Sequence, residues 1–476
     1  MKKIIALLLL VVMALSLVSC GGSEDDGIVI TWLVPGDAQK DTKLVVEEIN
    51  KILEPELGVK LDLQYIAQSA YGEKMKMNMA SGMDYDICFT SAWLNIYEAA
   101  ARDGGLYDIT DLISDDLRAV LDEADWEAAK VDGRIYAVPN NQIMTKQYAI
   151  GFREDLVEKY KDQFDINSVK EIKDIEPFLE IVKKNEPTLF GYNNAFSTSV
   201  FTQGIFATPV DNTGVTVRME TGEIVRSHEQ TETIEAQNLI REWYKKGYIR
   251  QVYAAGGDGG PASAEVQQGK YAVKFEQWKP GLEQLQTGVR YKFVPIGNPV
   301  RIPPTNTMTA VGANSKHPEE AMKVIEFFNT NKEVYNLISY GIEGKHYDFN
   351  DEGKMVIKEN TGYTPQGDWK FGCQFNAYIT EGMPDDVWEQ TKKVNAEAIV
   401  PPTQGFVFNS DPVKNELAQI ASVYAEYVDY VTIPEKEYAS WCAKKEKALM
   451  EAGYEKVYKE IEKQLKEYWK KTGKKY

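Results

Sequence analysis

The chain is poor in the residues that metal and nucleophile chemistry use. Its three histidines, His228, His317 and His346, are spread over 476 residues with no metal-ligand spacing among them. Its four cysteines, Cys20, Cys88, Cys373 and Cys442, form neither a disulfide framework nor a zinc pattern. Cys88 sits in an apolar run and reads as a small core residue. No Gly-x-Ser-x-Gly elbow is present, which argues against a Ser-His-Asp hydrolase. Gly256-Gly257-Asp258-Gly259-Gly260 lacks the Lys-Ser/Thr of a phosphate loop, and Asp258 repels phosphate, so it reads as a plain loop. Basic charge is short as well: 54 Lys and Arg stand against 72 Asp and Glu, a net charge of −18. Such a surface repels nucleic acid and anionic lipid. Past the first twenty residues, no segment is apolar enough to span a membrane. No cofactor or metal is expected.

The leader is the most specific local feature. Lys2 and Lys3 precede an apolar run from Ile4 to Val18. That run has the length of a signal-peptide core and is shorter than a membrane helix. Leu17-Val18-Ser19-Cys20-Gly21 follows, and it resembles the lipobox of bacterial lipoproteins. The resemblance implies cleavage before Cys20 and lipidation of its thiol. Residues 1–19 are then a signal peptide and residues 20–27, Gly- and Asp-rich, a solvated tether. One lipidated cysteine anchors a chain to a membrane surface without spanning it.

The remainder is too long for one core, so two domains or lobes are expected. Hydrophobic residues make up 43% and charged residues 26%, a globular balance. Nine Trp, 27 Tyr and 17 Phe exceed what a core alone needs and leave some for a cleft.

Periodicity gives the fold class. Ile28 to Val34 reads as a strand, broken by Pro35-Gly36-Asp37. From Asp41, Val45, Ile49, Ile52 and Leu53 mark one helical face, ended at Gly58. Val59, Leu61, Leu63 and Tyr65 alternate as a strand. A helix near Tyr71 to Ala80, a strand from Tyr85 to Thr90 and a helix from about Trp93 follow. This β-α-β-α-β-α order predicts α/β structure with a parallel sheet. Ligand sites form outside the carboxyl ends of such strands. Three loops fall there: Pro35 to Gln39, Gln68 to Tyr71, and Ser91 to Asn95.

The ordered set "YDICFTSAWLNIYEAAARDGGLYDIT", "VDGRIYAVPNNQ", "QGKYAVKFEQWKPG", "FVPIGNP" and "HPEEAMKVIEFFNTN" resembles solute-binding proteins of ABC importers. Within them it is most similar to the maltose-binding-protein-like, oligosaccharide group. "GIEGKHYDF" and "GFVFNSDPVKNELAQIASVYAEY" resemble a subgroup of large lipoproteins with an extended C-terminal region. The resemblance implies a two-lobed, type II periplasmic-binding-protein-like fold, with hinged lobes and a ligand cleft between them. Lobe one is expected at 28–138 and 305–365. Lobe two is expected at 139–304 and 366–476, including the C-terminal helices. Crossings are expected near Tyr136 to Asn141 and Ile296 to Thr309. The resemblance also implies a lipid-anchored monomer on the outer face of the cell membrane, with a carbohydrate ligand and permease partners.

A pyranose has apolar faces and a rim of hydroxyls, so aromatic rings and polar side chains suit it. On the family pattern, Trp93 and Trp278 match stacking positions, and Asn95 and Lys279 lie beside them. Asn140, Asn141 and Gln142 sit at the hinge, Asp37 follows the first strand, and Tyr71 lies in the second loop. Looser candidates fall in Tyr192 to Ser199, including Phe196, and at Asp368-Trp369. Trp32 is ambiguous, whereas Trp126, Trp243, Trp388, Trp441 and Trp469 fit helical core patterns. Asp348 to Glu359 nearly matches a calcium loop, but Glu352 at the fifth place and the lack of an entering helix favour a hairpin turn. Other classes stay open on composition: a peptide-binding relative, which needs charged groups for the termini, and a glycosidase, which needs two carboxylates. The resemblance argues against an enzyme.

Overall fold

A computed structural model describes residues 27–192, 198, 200–249, 265, 268–285, 289–364 and 367–476. The leader with Cys20, the candidate Phe196 and the Gly256 to Gly260 loop lie outside these residues.

The expected βα alternation is present. Strand β1 (Ile28–Pro35) leads into helix α1 (Thr42–Leu57), β2 (Val59–Ile66), helix α2 (Gln68–Ser81) and β3 (Ile87–Thr90). β1 pairs in parallel with both β2 and β3. Its two faces are both buried. Ile30, Trp32 and Val34 point into one core and Leu33 into the other. That explains its near-continuous apolar sequence, as in sheets covered on both sides. Trp32 is core: it is 1% exposed, and its ring meets Phe328 and Phe371 edge-on at 5.1 and 5.8 Å. Helix α1 buries Val45, Ile49 and Leu53. It stops at Gly58, whose φ of 69° lets its N–H close back on the Glu54 carbonyl.

The chain then passes β4 (Ala137–Pro139) and enters lobe two. There β5 (Thr145–Arg153), β6 (Phe190–Tyr192), β7 (Tyr271–Gln277) and β8 (Tyr291–Arg301) form a sheet of order β8-β5-β7-β6. Helices α3 (Glu176–Asn185) and α4 (Thr231–Lys245) cover it, with Phe178, Leu179, Ile240 and Trp243 in the core. The chain returns as β9 (Met308–Val311), which pairs antiparallel with both β3 and β4. Lobe one therefore reads β2-β1-β3-β9-β4. The two crossings run over 140–144 and 302–307; the first starts near the end of the expected 136–141 range and continues past it.

Helices α5 (Pro318–Thr330) and α6 (Lys332–Tyr340) complete lobe one, with Ala321, Val324, Ile325 and Phe328 on the buried face of α5. Lobe one runs further than expected. Phe371 and Ala377 belong to its core, so its edge lies beyond residue 365. The 347–357 segment is an antiparallel hairpin. Asn350 accepts the backbone N–H groups of Glu352 and Lys354, and Lys358 pairs with Asp348 at 2.6 Å. Those contacts use Asn350 Oδ1 and an Asp348 oxygen to close the turn.

Helix α7 (Val387–Glu397) precedes three C-terminal helices, α8 (Lys414–Glu426), α9 (Glu435–Glu451) and α10 (Tyr454–Thr472). They pack on a small antiparallel sheet that lobe two sends out over residues 206–226. Val457, Ile461, Leu465 and Trp469 of α10 are buried there, the expected stripe. No helix among the described residues is long and apolar enough to cross a membrane.

Candidate functional site

Strand order places the carboxyl ends of β1 and β3 beneath the crossings. There the segment 368–371 lies over the sheet. Asp368 orders it: one oxygen accepts the Trp369 N–H at 3.0 Å, and the other accepts Gln374 at 2.6 Å and Tyr340 at 3.1 Å. Trp369 then rests on Phe89 of β3, with centroids 5.8 Å apart, and meets Trp93 at 6.1 Å. The Trp93 indole N–H donates to the Asn306 carbonyl in the second crossing at 2.9 Å, yet Trp93 is 45% exposed. An exposed, oriented indole beside a half-buried one makes a platform on which an apolar ring face can stack.

The remaining candidates divide. Tyr71 does not face the cleft. It lies inside α2, not in a loop, and is wholly buried. Its hydroxyl donates towards the Leu33 and Phe89 carbonyls and accepts the Phe89 N–H at 2.9 Å, so it ties β1 to β3. Asn95 is also structural. At φ 51° it closes the turn after β3, and its amide donates to the Phe89 carbonyl at 3.0 Å. The helix expected from Trp93 begins only at Tyr97 for that reason.

Asn140 and Gln142 are buried hinge residues. Asn140 donates to the Trp369 carbonyl at 3.1 Å and accepts the Thr309 hydroxyl at 3.0 Å. Gln142 donates to the Thr307 hydroxyl at 2.6 Å, joining the two crossings. Asn141, half-buried, donates to the Val120 carbonyl at 2.5 Å. Of the three amides, only that of Gln142 joins the two crossings; Asn140 ties to the Trp369 segment and β9, and Asn141 to the Val120 turn of lobe one. Asp37 is exposed. Trp278 and Lys279 are half-buried at the end of β7, where the Trp278 N–H donates to the Gln147 carbonyl at 2.8 Å. Lys279 shares a small cleft of 20 Å³ with Asp368, Gln374 and Tyr340, which brings lobe two against the Trp369 segment.

One residue was missed. Lys370 is 7% exposed, and its ammonium donates to the Pro35 carbonyl at 3.0 Å. Burial pushes its pKa down to about 8. The flanking Trp369 is a candidate from the sequence, but nothing local marks the lysine as buried.

A larger cavity of about 1170 Å³ includes Ala92, the neighbour of Trp93, in its wall, but Trp93, Trp369, Trp278, Lys279 and Asp37 themselves do not line it. Lobe one lines it with Glu98, Arg102 and Lys130, lobe two with Tyr148, Gln203 and Phe206, and the C-terminal region with Gln404 and Phe406. Arg301, at the hinge end of β8, also lines it and pairs with Asp125 of lobe one at 2.6 Å. Polar and aromatic groups from both lobes therefore converge on one space, as ligand clefts require.

Residues 38–335 match the family described as bacterial extracellular solute-binding protein. The chain belongs to this family. Residues 402–470 match a second description, a domain of unknown function (DUF3502). A carbohydrate ABC transporter substrate-binding protein of Streptococcus pneumoniae serotype 4 is 30% identical over 490 residues, covering 97% of this chain and 96% of that one. Among solved structures, the N-glycan transport solute binding protein NgtS of S. pneumoniae superposes with a TM-score of 0.79 at 27% identity, over 92% of this chain and 99% of that chain. NgtS in complex with Man5GlcNAc gives 0.69 at 28% identity, over 94% and 100%. The fold is the two-lobed, type II arrangement, and the family is one of binding proteins rather than enzymes.

Proposed function

We propose that this extracellular solute-binding protein captures an oligosaccharide between its lobes and presents it to the permease of an ABC importer. The observation that carries the reading is the interlobe space itself. It exceeds the roughly 300–1,000 Å³ of a drug-sized pocket, and beside it stands the Trp93–Trp369 platform. A chain of pyranoses fits such a space: its apolar faces stack and its hydroxyls meet amides and charged groups at the walls. The 97% coverage by a carbohydrate transporter's binding protein, and the likeness to a glycan-binding NgtS, support the same class.

Trp93, Trp369, Trp278, Lys279 and Asp37 are the proposed ligand contacts. Gln142 acts instead as a hinge pin, because its side chain joins the two crossings, while Asn140 and Asn141 fasten the first crossing to the Trp369 segment, β9 and the Val120 turn. Sugar bridging both lobes stabilises the closed form, since only that form makes both sets of contacts. The lipidated Cys20 and its tether would hold a monomer at the outer face of the membrane.

A thermal-shift screen of the lipid-free chain against oligosaccharides, with peptides and polyamines as controls, tests this. A ligand at 100 times its dissociation constant adds about 2.7 kcal/mol. A shift with a glycan, and no product formed, is expected. A shift with peptides alone overturns the substrate class.

A further inference from the structure

The C-terminal region reaches the cavity through the loop Pro401 to Val407 and, behind it, through Tyr468 and Lys471 of α10. Just before it, Ile399 joins the hinge strand. The Ile399 N–H donates to the Pro299 carbonyl at 2.9 Å, and the Arg301 N–H donates to the Ile399 carbonyl at 2.8 Å. The loop is then fixed from behind by α10. The Tyr468 hydroxyl donates to the Gln404 carbonyl at 2.7 Å, and the Trp469 indole donates to the Pro402 carbonyl at 2.9 Å. Lys474 donates to the same Gln404 carbonyl at 2.7 Å. Gly405, at φ 79°, permits the close approach, because a Cβ there would lie 2.7 Å from the Tyr468 hydroxyl. Phe406 is set against Tyr468 with centroids 5.8 Å apart, and both line the cavity.

Two polar atoms at this side of the cavity are unfinished, one in the loop and one in the lobe-two sheet over residues 206–226. Gln404 Oε1 and Thr216 Oγ1 are buried without a hydrogen-bond partner, and both residues line the cavity. Such groups are rare in native proteins and call for a partner. Neither oxygen faces the empty space directly, so a side-chain rotation must accompany contact. A sugar hydroxyl is a donor of the required kind, and the half-buried Phe406 offers a ring to an adjoining pyranose face.

We infer that the region matching the domain of unknown function is a specificity wall that reads the length of the glycan. This rests on the oligosaccharide reading above. Short ligands occupy the Trp93–Trp369 platform. Further sugar units extend past Ala92 into the cavity and meet Phe406 and Gln404. Because the loop is pinned by α10 before ligand arrives, little ordering is lost when the extra units bind.

The test is titration calorimetry with two glycans, Man1GlcNAc and Man5GlcNAc, on the full mature chain. Phe406→Ala and Gln404→Leu are compared with the wild type, and unfolding of each ligand-free variant is recorded to confirm the fold. Each variant should lose about tenfold in affinity for Man5GlcNAc, with Man1GlcNAc affinity unchanged within about twofold. Gln404→Leu keeps the side chain's bulk and stays informative if Phe406→Ala weakens the C-terminal packing. Equal losses on both glycans, no loss on either, or wild-type binding of the short glycan alone overturns the specificity wall and leaves oligosaccharide capture standing. Wild-type binding of neither glycan, nor of any other oligosaccharide, overturns both.

Discussion

The rings of Trp93 and Trp369 meet 6.1 Å apart above Phe89, one carried by the loop after β3 and the other by a segment that returns much later in the chain. The second ring stays in place because Asp368 holds its backbone. The first stays in place through the Asn306 carbonyl. Preorganisation of this kind lowers the ordering cost of binding.

Trp93→Ala should therefore weaken glycan binding by at least about tenfold while leaving the unfolding midpoint nearly unchanged, because the side chain is 45% exposed. Trp278→Ala should act in the same direction. Titration calorimetry on the folded variants checks both. An unchanged affinity removes the residue concerned from the site.

Tyr71→Phe separates core from cleft. Its hydroxyl is buried and accepts the Phe89 N–H while lying within 3.1 Å of two strand carbonyls. Removing it should cost about 1–3 kcal/mol of stability with no change in glycan affinity. Denaturant unfolding and calorimetry read the two quantities separately, and a loss of affinity in a fully folded variant would return Tyr71 to the site.

Lys370 sets a basic-side pH dependence. Its folded pKa is pushed down to about 8 from 10.5 by burial. Between those values the unfolded chain binds more protons, so this group's contribution to stability rises with pH through that window. Below it, the buried charge carries its full cost. Lys370→Met should then be more stable than the wild type at pH 7, by roughly 1–3 kcal/mol, and the gap should narrow as pH rises towards 10. Urea denaturation across that range checks it, and a gap of constant size contradicts it.

His228 sets an acid-side dependence where lobe two meets the C-terminal helices. Burial lowers its pKa from 6.5, against the opposing pull of Glu446 and Glu229, while Lys445 and Arg226 add to the lowering. Its Nε2 lies 2.9 Å from a Glu446 oxygen. The unfolded chain takes up a proton below pH 6.5 that the folded chain resists, so stability falls as pH drops through the window beneath 6.5. His228→Gln should flatten that part of the profile. Melting curves from pH 7 to pH 5 read it, and an unaltered slope assigns the acid sensitivity elsewhere.

Much of lobe one was legible because its signals are local. The apolar alternation of β2, the face of α1 and the Pro318 start of α5 all act within a few residues. The misplaced residues depend on contacts made across the chain. Tyr71 looked like a loop residue because α2 begins three residues earlier than its periodicity shows, at Gln68. Asn95, Asn140 and Gln142 have the polar groups that a sugar would need, but backbone and hinge partners use those groups first. Phe406 and Gln404 gave no signal at all, since their position at the cavity depends on α10 packing behind them.

The central claim is a hinged trap that closes on glycan, and small-angle X-ray scattering tests it most directly. The radius of gyration of the lipid-free chain is measured alone and with a saturating glycan identified by thermal shift. The account predicts a smaller radius with glycan bound, and no further change when excess is added. An identical scattering profile with the glycan demonstrably bound would contradict capture by lobe closure.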